Sequence, residues 1–187
     1  VTLGFGDYRK AISYYERARA TADEIGDKPG KGISLGGLGA AHHSISNYRE
    51  AISYYEQALA IADEIDDKLG KESWLNKLGI VYSDLGDYQK AISLHERALA
   101  IAEEISNKQG KEACLGSLGN IAMAFGDFRK AIYYYEQALA IADEIRDKPG
   151  QVSCFGGLGS AYRHFGDFRK AISYYEQALA IADEIGD

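Results

Sequence analysis

The hydrophobic and polar positions of this chain follow a helical period, and the pattern restarts every 40 residues. Between residues 51 and 65, apolar side chains recur three or four positions apart, which is typical of an α-helix. They are Ala51, Ile52, Tyr55, Ala58, Leu59, Ala62 and Ile65. The stripe is wider than one helix face, and its alanines allow neighbouring helices to approach closely. The pattern therefore predicts a helix that is buried by neighbours on two sides.

The same block recurs along the whole chain in one register. The segment beginning at Ala51 is repeated without change from Ala171. The tripeptides that precede the block are Gly6-Asp7-Tyr8, Ser46-Asn47-Tyr48, Gly86-Asp87-Tyr88, Gly126-Asp127-Phe128 and Gly166-Asp167-Phe168. A fixed period of this length is the signature of a repeat architecture.

Each repeat is predicted to form two helices, called helix A and helix B. Helix A is expected at about 28–45, 68–85, 108–125 and 148–165, and helix B at about 8–25, 48–65, 88–105, 128–145 and 168–185. The expected organisation is a single solenoid over residues 1–187 with about nine helices. It divides into a partial repeat 1–26 and the repeats 27–66, 67–106, 107–146 and 147–187.

The predicted helix boundaries carry the residues that end and begin helices. Short polar side chains accept hydrogen bonds from the free N–H groups of a first turn, so N-caps are expected at Asp7, Asn47, Asp87, Asp127 and Asp167 for helix B. For helix A they are expected at Asp27, Asp67, Asn107 and Asp147. Left-handed ends of helix A are expected at Gly6, Gly86, Gly126 and Gly166. Pro29 and Pro149 fit a first turn, where the missing N–H is harmless.

The residues of the last repeat resemble the tetratricopeptide signature. Its positions are Phe155, Leu158, Gly159, Tyr162, Ala171, Tyr175 and Ala178. Earlier repeats follow the same pattern, with His95 at an aromatic position and Ala122 at a tyrosine position. The common tetratricopeptide unit has about 34 residues. The longer period is similar to the Pins-type regulators of G-protein signalling and to cnidarian and bacterial arrays. The resemblance implies an all-α, right-handed superhelical solenoid of antiparallel helix pairs.

In the resembled family, helix A lines a concave groove that holds a peptide or a partner segment. Helix A varies between the repeats here, whereas helix B hardly varies. The resemblance therefore implies these groove candidates: His43, Asn76, Lys77, Ile80, Ser83, Ser117, Asn120, Met123, Ser160 and Arg163. Drift of exposed positions is the alternative explanation. Gly36, Gly37 and Gly39 either leave a shallow groove floor or are tolerated because stacking dominates. Some members of the resembled family bind the C-terminal carboxylate of a peptide with a cluster of lysine, arginine and asparagine. Here the residues that could form such a cluster are spread over three repeats.

The charge and the hydrophobic content of the chain limit the kinds of partner that it is expected to bind. A net charge of −7 disfavours nucleic acid and anionic membranes, because an acidic chain releases no counterions from phosphates. No apolar run approaches the ~18 residues of a membrane span. No signal peptide is visible, and the chain opens inside a repeat, as a piece of a longer array would. Cys114 and Cys154 occupy one repeat position and are expected as buried thiols of a cytoplasmic protein.

No catalytic, metal or cofactor site is expected from the sequence, and the chain is not predicted to be an enzyme. Gly30-Lys31-Gly32 lacks the order of a phosphate-binding loop, and adjacent His42 and His43 point to different sides of a helix. A protein-interaction scaffold of a signalling kind is the first hypothesis. The alternatives are a self-associating structural or engineered consensus module and a sensor arm of a larger protein. End-to-end association would use Ile172, Tyr175, Leu179 and Ile181, which are expected to face water.

Overall fold

The computed structural model describes residues 5–186, and these residues form nine α-helices. Helix B corresponds to α1 (Phe5–Ile25), α3 (Tyr48–Glu64), α5 (Tyr88–Glu104), α7 (Phe128–Ile145) and α9 (Phe168–Gly186). Helix A corresponds to α2 (Lys28–Ser44), α4 (Lys68–Asp84), α6 (Lys108–Ala124) and α8 (Lys148–Phe165). The predicted helices and their alternation are confirmed.

Most of the predicted caps are confirmed. At helix A, the side chains of Asp27, Asp67 and Asn107 accept hydrogen bonds from the backbone N–H groups three residues later. At helix B, the side chains of Asp87, Asp127 and Asp167 do the same. Four helices end at a glycine in the left-handed conformation, which lets the following backbone N–H groups bond to the last carbonyl groups of the helix. Three of these glycines, Gly86, Gly126 and Gly166, were predicted, and Gly26 is the fourth.

The predicted N-cap at Asp7 and the predicted helix end at Gly6 are wrong. Helix α1 begins at Phe5, so Asp7 lies in its first turn and Gly6 lies inside the helix. The Asn47 amide instead approaches the His42 ring, with Nδ2 and Nδ1 3.2 Å apart. Asp147 makes no side-chain cap bond. Asn47 and Asp147 nevertheless occupy the N-cap positions of α3 and α8, as predicted, without a side-chain cap hydrogen bond.

Four non-glycine residues also adopt the left-handed conformation between helices. They are Ser46, Asp66, Ser106 and Arg146, with φ between 55° and 59°. The sequence offered no glycine at these positions, so this turn geometry was not predicted. Side chains with a Cβ are strained there, and the hydrogen bonds at the helix ends must offset the strain.

The chain divides into two compact units, residues 1–94 and 95–187, and each is described by itself. In the first unit, α2 packs between α1 and α3, and α4 packs on α3. Its buried core includes Leu38, Tyr55 and Leu75. In the second unit, α7 packs between α6 and α8, and α9 packs on α8. There Tyr135 and Leu158 belong to one buried cluster.

Ion pairs, and one hydrogen bond from an amide to a carboxylate, join the start of helix A to the ends of helices B within each unit. The fourth residue of helix A reaches the acid eight positions earlier: Lys31 to Asp23 at 2.6 Å, Lys71 to Asp63, Lys111 to Glu103 at 2.7 Å and Gln151 to Asp143 at 2.7 Å. The first residue reaches an acid 36 positions later: Lys28 to Glu64 at 2.8 Å, Lys108 to Glu144 at 2.5 Å and Lys148 to Glu184 at 2.8 Å. These exposed pairs contribute little stability singly, but they fix the register of neighbouring helices.

Candidate binding face

Each helix A presents a stripe of side chains spaced four and three residues apart. In each unit, we call the surface formed by these stripes the helix-A face. It comprises Gly36, Ala40 and His43 on α2, Asn76, Ile80 and Ser83 on α4, Gly116, Asn120 and Met123 on α6, and Gly156, Ser160 and Arg163 on α8. Eight of the ten candidates from the sequence are in these stripes, and Lys77 and Ser117 lie beside them. The two units carry different chemistry on this face.

In the first unit, a hydrogen bond links the C-terminal ends of α2 and α4. His43 Nε2 lies 2.6 Å from Asp84 Oδ2, so two neighbouring helices are tied together across the helix-A face. Lys77 is exposed and forms no ion pair with residues 5–186. Asn76 is only 8% exposed, and its Oδ1 has no hydrogen-bond partner within the described part of the chain. The Asn76 side chain is therefore out of reach of a ligand in this structure.

Aromatic rings fill the space beside the glycines of α2. A Cβ at Gly36 would collide with the Trp74 ring, and a Cβ at Gly37 would collide with the Tyr15 ring. At Gly39 it would lie 2.8 Å from the Tyr55 ring. The shallow-floor explanation of these glycines is therefore wrong. They are needed because the rings pack directly on the α2 backbone.

The second unit contains the open part of the helix-A face. Nothing lies within 4 Å of a Cβ placed at Gly116 or Gly156, so the backbones of α6 and α8 are accessible there. These two helices contact each other, which brings their stripes together. Ser160 is half-buried and Arg163 is exposed, and Arg163 forms no ion pair among the described residues.

Tyr135 orients the side chain of Asn120 in this open area. Its hydroxyl donates a hydrogen bond of 2.6 Å to Asn120 Oδ1. Its ring lies between Gly119 and Gly157, and a Cβ at either would come within 2.7 Å of the ring. Burial raises the pKa of Tyr135 to about 12, so the hydroxyl remains a donor at neutral pH. The Asn120 amide group is thereby oriented with its N–H donors available.

The sequence did not identify Gly116 and Gly156 as part of the site. The only signal was the absence of a side chain at the first stripe position. That signal is ambiguous, because Gly36 has the same position and is covered by Trp74. Whether a glycine is open depends on the side chain that the next helix A places beside it.

The remaining titratable cluster lies at the start of α8. Cys154 Sγ is 4.0 Å from Glu112 Oε1, and both side chains are buried. Burial and the nearby acids raise the pKa of Cys154 to about 12, so the thiol is neutral. Both cysteines are free and buried, as predicted. Within residues 5–186, no group of His, Cys, Asp and Glu side chains has the arrangement of a metal site.

Replacing Glu112 by glutamine is expected to raise the free energy of unfolding at neutral pH. Burial, reinforced by the charge of Asp147, raises the pKa of Glu112, so its carboxylate destabilises the native state at pH 7. The native state takes up this proton before the unfolded state does as pH falls, which relieves the penalty. The gain in melting temperature should therefore shrink toward pH 4. Glu96→Gln, an exposed change on α5, is the control; an equal gain there would contradict this explanation.

The nine described helices, alternating between helix A and helix B, define a helical-repeat protein. The sequence model of the tetratricopeptide repeat matches residues 2–64, 71–144 and 112–184. The chain belongs to the tetratricopeptide repeat family, and its fold is an all-α solenoid of that type. A search of curated proteins finds no match. Among the described residues, no helix has both the length and the apolar character needed to cross a bilayer.

Several solved structures share this fold. BtubC from P. vanneervenii is 25% identical, with a TM-score of 0.83 over 97% of this chain and 75% of that one. A Rap protein complexed with Competence and Sporulation Factor is 21% identical, with a TM-score of 0.87 over 97% of this chain and 51% of that one. The Rap conjugation gene regulator of plasmid pLS20, in complex with the Phr* peptide, is 22% identical, with a TM-score of 0.84 over 97% and 50%. This chain spans about half the length of the two Rap proteins.

Proposed function

We propose that this chain is a protein-interaction scaffold that binds an extended peptide segment on the helix-A face of its second unit. The observation that carries the proposal is the open backbone at Gly116 and Gly156 on two helices that contact each other. A peptide backbone approaches closely only where no side chain intervenes, and glycine provides that space. The proposed role is binding, with no catalytic step.

The polar groups around the two glycines suit a peptide. The Asn120 amide donates to a peptide carbonyl while its oxygen is held by Tyr135. The Ser160 hydroxyl both donates and accepts. Arg163 supplies a positive charge without an ion-pair partner in the described chain, which favours a segment that carries a carboxylate near this position.

The structural relatives support binding of this kind without identifying a ligand. One Rap protein is solved with Competence and Sporulation Factor, and the pLS20 regulator is solved with the Phr* peptide. Since both share only the fold with this chain, the proposal extends to the class of ligand alone. The free, buried thiols fit a reducing compartment, and we include a cytoplasmic location in the proposal.

The test is a peptide-display selection on the chain, followed by affinity measurements with Gly116→Leu. The added side chain enters open space, so folding is expected to be retained, and leaving glycine favours the helix by up to ~1 kcal/mol. Selected peptides should bind this variant at least about tenfold more weakly, a loss of ~1.4 kcal/mol. Arg163→Glu should weaken the acidic peptides in particular.

Two matched control variants test whether an added leucine or a reversed charge changes the peptide affinity when it lies outside the helix-A face. Ser173→Leu adds the same side chain at an exposed position of α9, and Arg97→Glu reverses an exposed charge on α5. Neither lies in the helix-A stripes, so neither should change the affinity. Peptides that bind Gly116→Leu and the parent equally would place the site elsewhere and reject the proposal.

A further inference from the structure

The second unit carries charges of opposite sign at the two edges where its helices begin and end. Its helices are antiparallel and joined by short turns, so the turns after α6 and α8 lie at one edge and those after α5 and α7 lie at the other. We call residues 125–130 and 165–170 the basic edge, because they contain four arginines and lysines and two aspartates. We call residues 103–111, 143–151 and 183–186 the acidic edge, because they contain seven acids and four lysines and arginines. Opposite charges on two surfaces of one chain favour contact between copies.

Exposed phenylalanine rings stand among the charges of the basic edge. Phe125 and Phe165 occupy the same position of consecutive repeats and are 54% and 50% exposed. Phe125 lies in an internal turn, with described helices before and after it, so its exposure does not come from the end of the sequence. The Arg129 guanidinium carbon lies 5.7 Å from the centre of the Phe165 ring. Aromatic rings beside arginine are enriched in the surfaces by which proteins bind one another.

The acidic edge contains a cavity whose size and lining suit such a ring. Its volume is about 350 Å³, and it lies between the ends of α5 and α7 and the start of α6. Its lining includes two apolar side chains and two ion pairs, which are Ala102, Ile141, Lys108 with Glu144, and Lys111 with Glu103. An apolar cavity of about 150 Å³ is already large enough to hold benzene. A phenylalanine ring therefore fits here, with the charged groups around it.

We propose that a second copy of this chain docks its basic edge on the acidic edge, with the Phe125 ring in the cavity. The lysines of the cavity place ammonium groups near the ring, where cation–π attraction adds to its burial. Arg129 and Lys130 of the incoming copy then lie beside the exposed carboxylates of Glu103 and Glu144. Because the two surfaces in contact are different, each copy keeps a free edge and further copies add in the same way. The contact uses neither open glycine of the helix-A face, so it is separate from peptide binding.

Sedimentation velocity over a wide range of concentrations tests the proposal. The mass of the parent chain should rise beyond that of a dimer as concentration increases, and added salt should reduce it, because salt screens exposed charges. Phe125→Ser together with Phe165→Ser should weaken the association at least about tenfold. Both rings are removed because Phe165 offers the cavity a second register one repeat away. Tyr133→Ser, which removes an equally exposed ring from the middle of α7, is the matched control and should leave the association unchanged.

Mixing two variants tests whether the contact joins unlike edges. The first variant lacks the rings of Phe125 and Phe165 and keeps its acidic edge, whereas the second carries Glu103→Lys plus Glu144→Lys and keeps its basic edge. All four side chains are exposed, so both variants should fold, which circular dichroism checks. Each variant alone should be a monomer, and the mixture should form a dimer with one chain of each, because one intact edge of each kind remains. A monomeric mixture would overturn the proposal. So would a parent chain that stays monomeric at every concentration, or an association that survives in both variants and is lost with Leu179→Lys.

Discussion

Replacing Leu158 with alanine is expected to lower the free energy of unfolding by about 2–5 kcal/mol. Leu158 is 0% exposed and packs in a cluster with Tyr135, Ala131 and Ala161. The neighbouring Gly159 already brings the α8 backbone against the Tyr175 ring. The helices therefore have little freedom to collapse into the space left by the missing methyl groups, and the upper part of this range is expected. Urea denaturation followed by circular dichroism measures the loss.

The chain provides a matched control for this substitution. Leu179→Ala removes the same atoms from α9, where the side chain is 61% exposed. Its effect should stay within about 0.5 kcal/mol, as for other surface changes. Equal losses at both positions would contradict the packing described for the second unit. A small loss at Leu158 alone would mean that the α7–α8 contact is looser than the structure shows.

The helices were predictable from the sequence because their signals are local. The residues that end a helix, such as Gly86 and Gly126, lie within a few positions of the boundary that they define. The side chain of Asp67 likewise bonds to a backbone N–H only three residues away. The predicted and observed ends of helix A consequently agree within one residue.

Contacts between helices were not predictable in the same way. Lys28 and Glu64 are 36 residues apart, and His43 and Asp84 are 41 apart, so their pairing depends on how the helices pack. The same dependence explains why Asn47, at the N-cap position of α3, makes no side-chain cap hydrogen bond. That residue had the right side chain for a cap, but its amide lies against the His42 ring.

At the candidate site, too, local features were predictable from the sequence and contacts between helices were not. The repeat variation located the stripes of helix A, because exposed and buried positions alternate with helical spacing. It did not show that Asn76 is buried or that Gly116 is open. Those properties depend on the ring or side chain of an adjacent helix. Sequence reasoning therefore placed its candidates on one side of helix A but did not show where on that side a backbone is accessible.

Acid is expected to destabilise this protein through His95. The ring is 0% exposed, and neither nitrogen has a hydrogen-bond partner within the described chain. Burial lowers the pKa of His95 to about 4 from its usual value of about 6.5. Between these values the unfolded state binds the proton and the native state does not. The stabilisation is therefore complete above pH 6.5 and is lost as pH falls toward 4, by roughly 3 kcal/mol.

Replacing His95 with tyrosine should remove this part of the pH dependence. Tyr55 and Tyr135 occupy the equivalent positions of other repeats and are buried there, so the repeat accepts this side chain. Tyrosine does not titrate between pH 4 and 6.5, and every carboxyl group is common to both proteins. The pH dependence of the difference between their unfolding free energies therefore comes from His95 alone. A change in stability caused by the larger ring would be the same at every pH and would not affect this result. Urea denaturation at several pH values measures it.

The exposed His164 gives the control for this measurement. His164→Tyr makes the same chemical change at the end of α8, where the ring is exposed to solvent. Comparing the two variants separates the effect of the buried ring from the effect of the substitution itself. A His95→Tyr profile that runs parallel to that of the parent would show that the buried ring gains its proton without loss of the native packing. A constant difference between the His95→Tyr and parent unfolding free energies above pH 6.5, followed by a change in that difference below it, would confirm that desolvation of this one ring makes the repeat acid-sensitive.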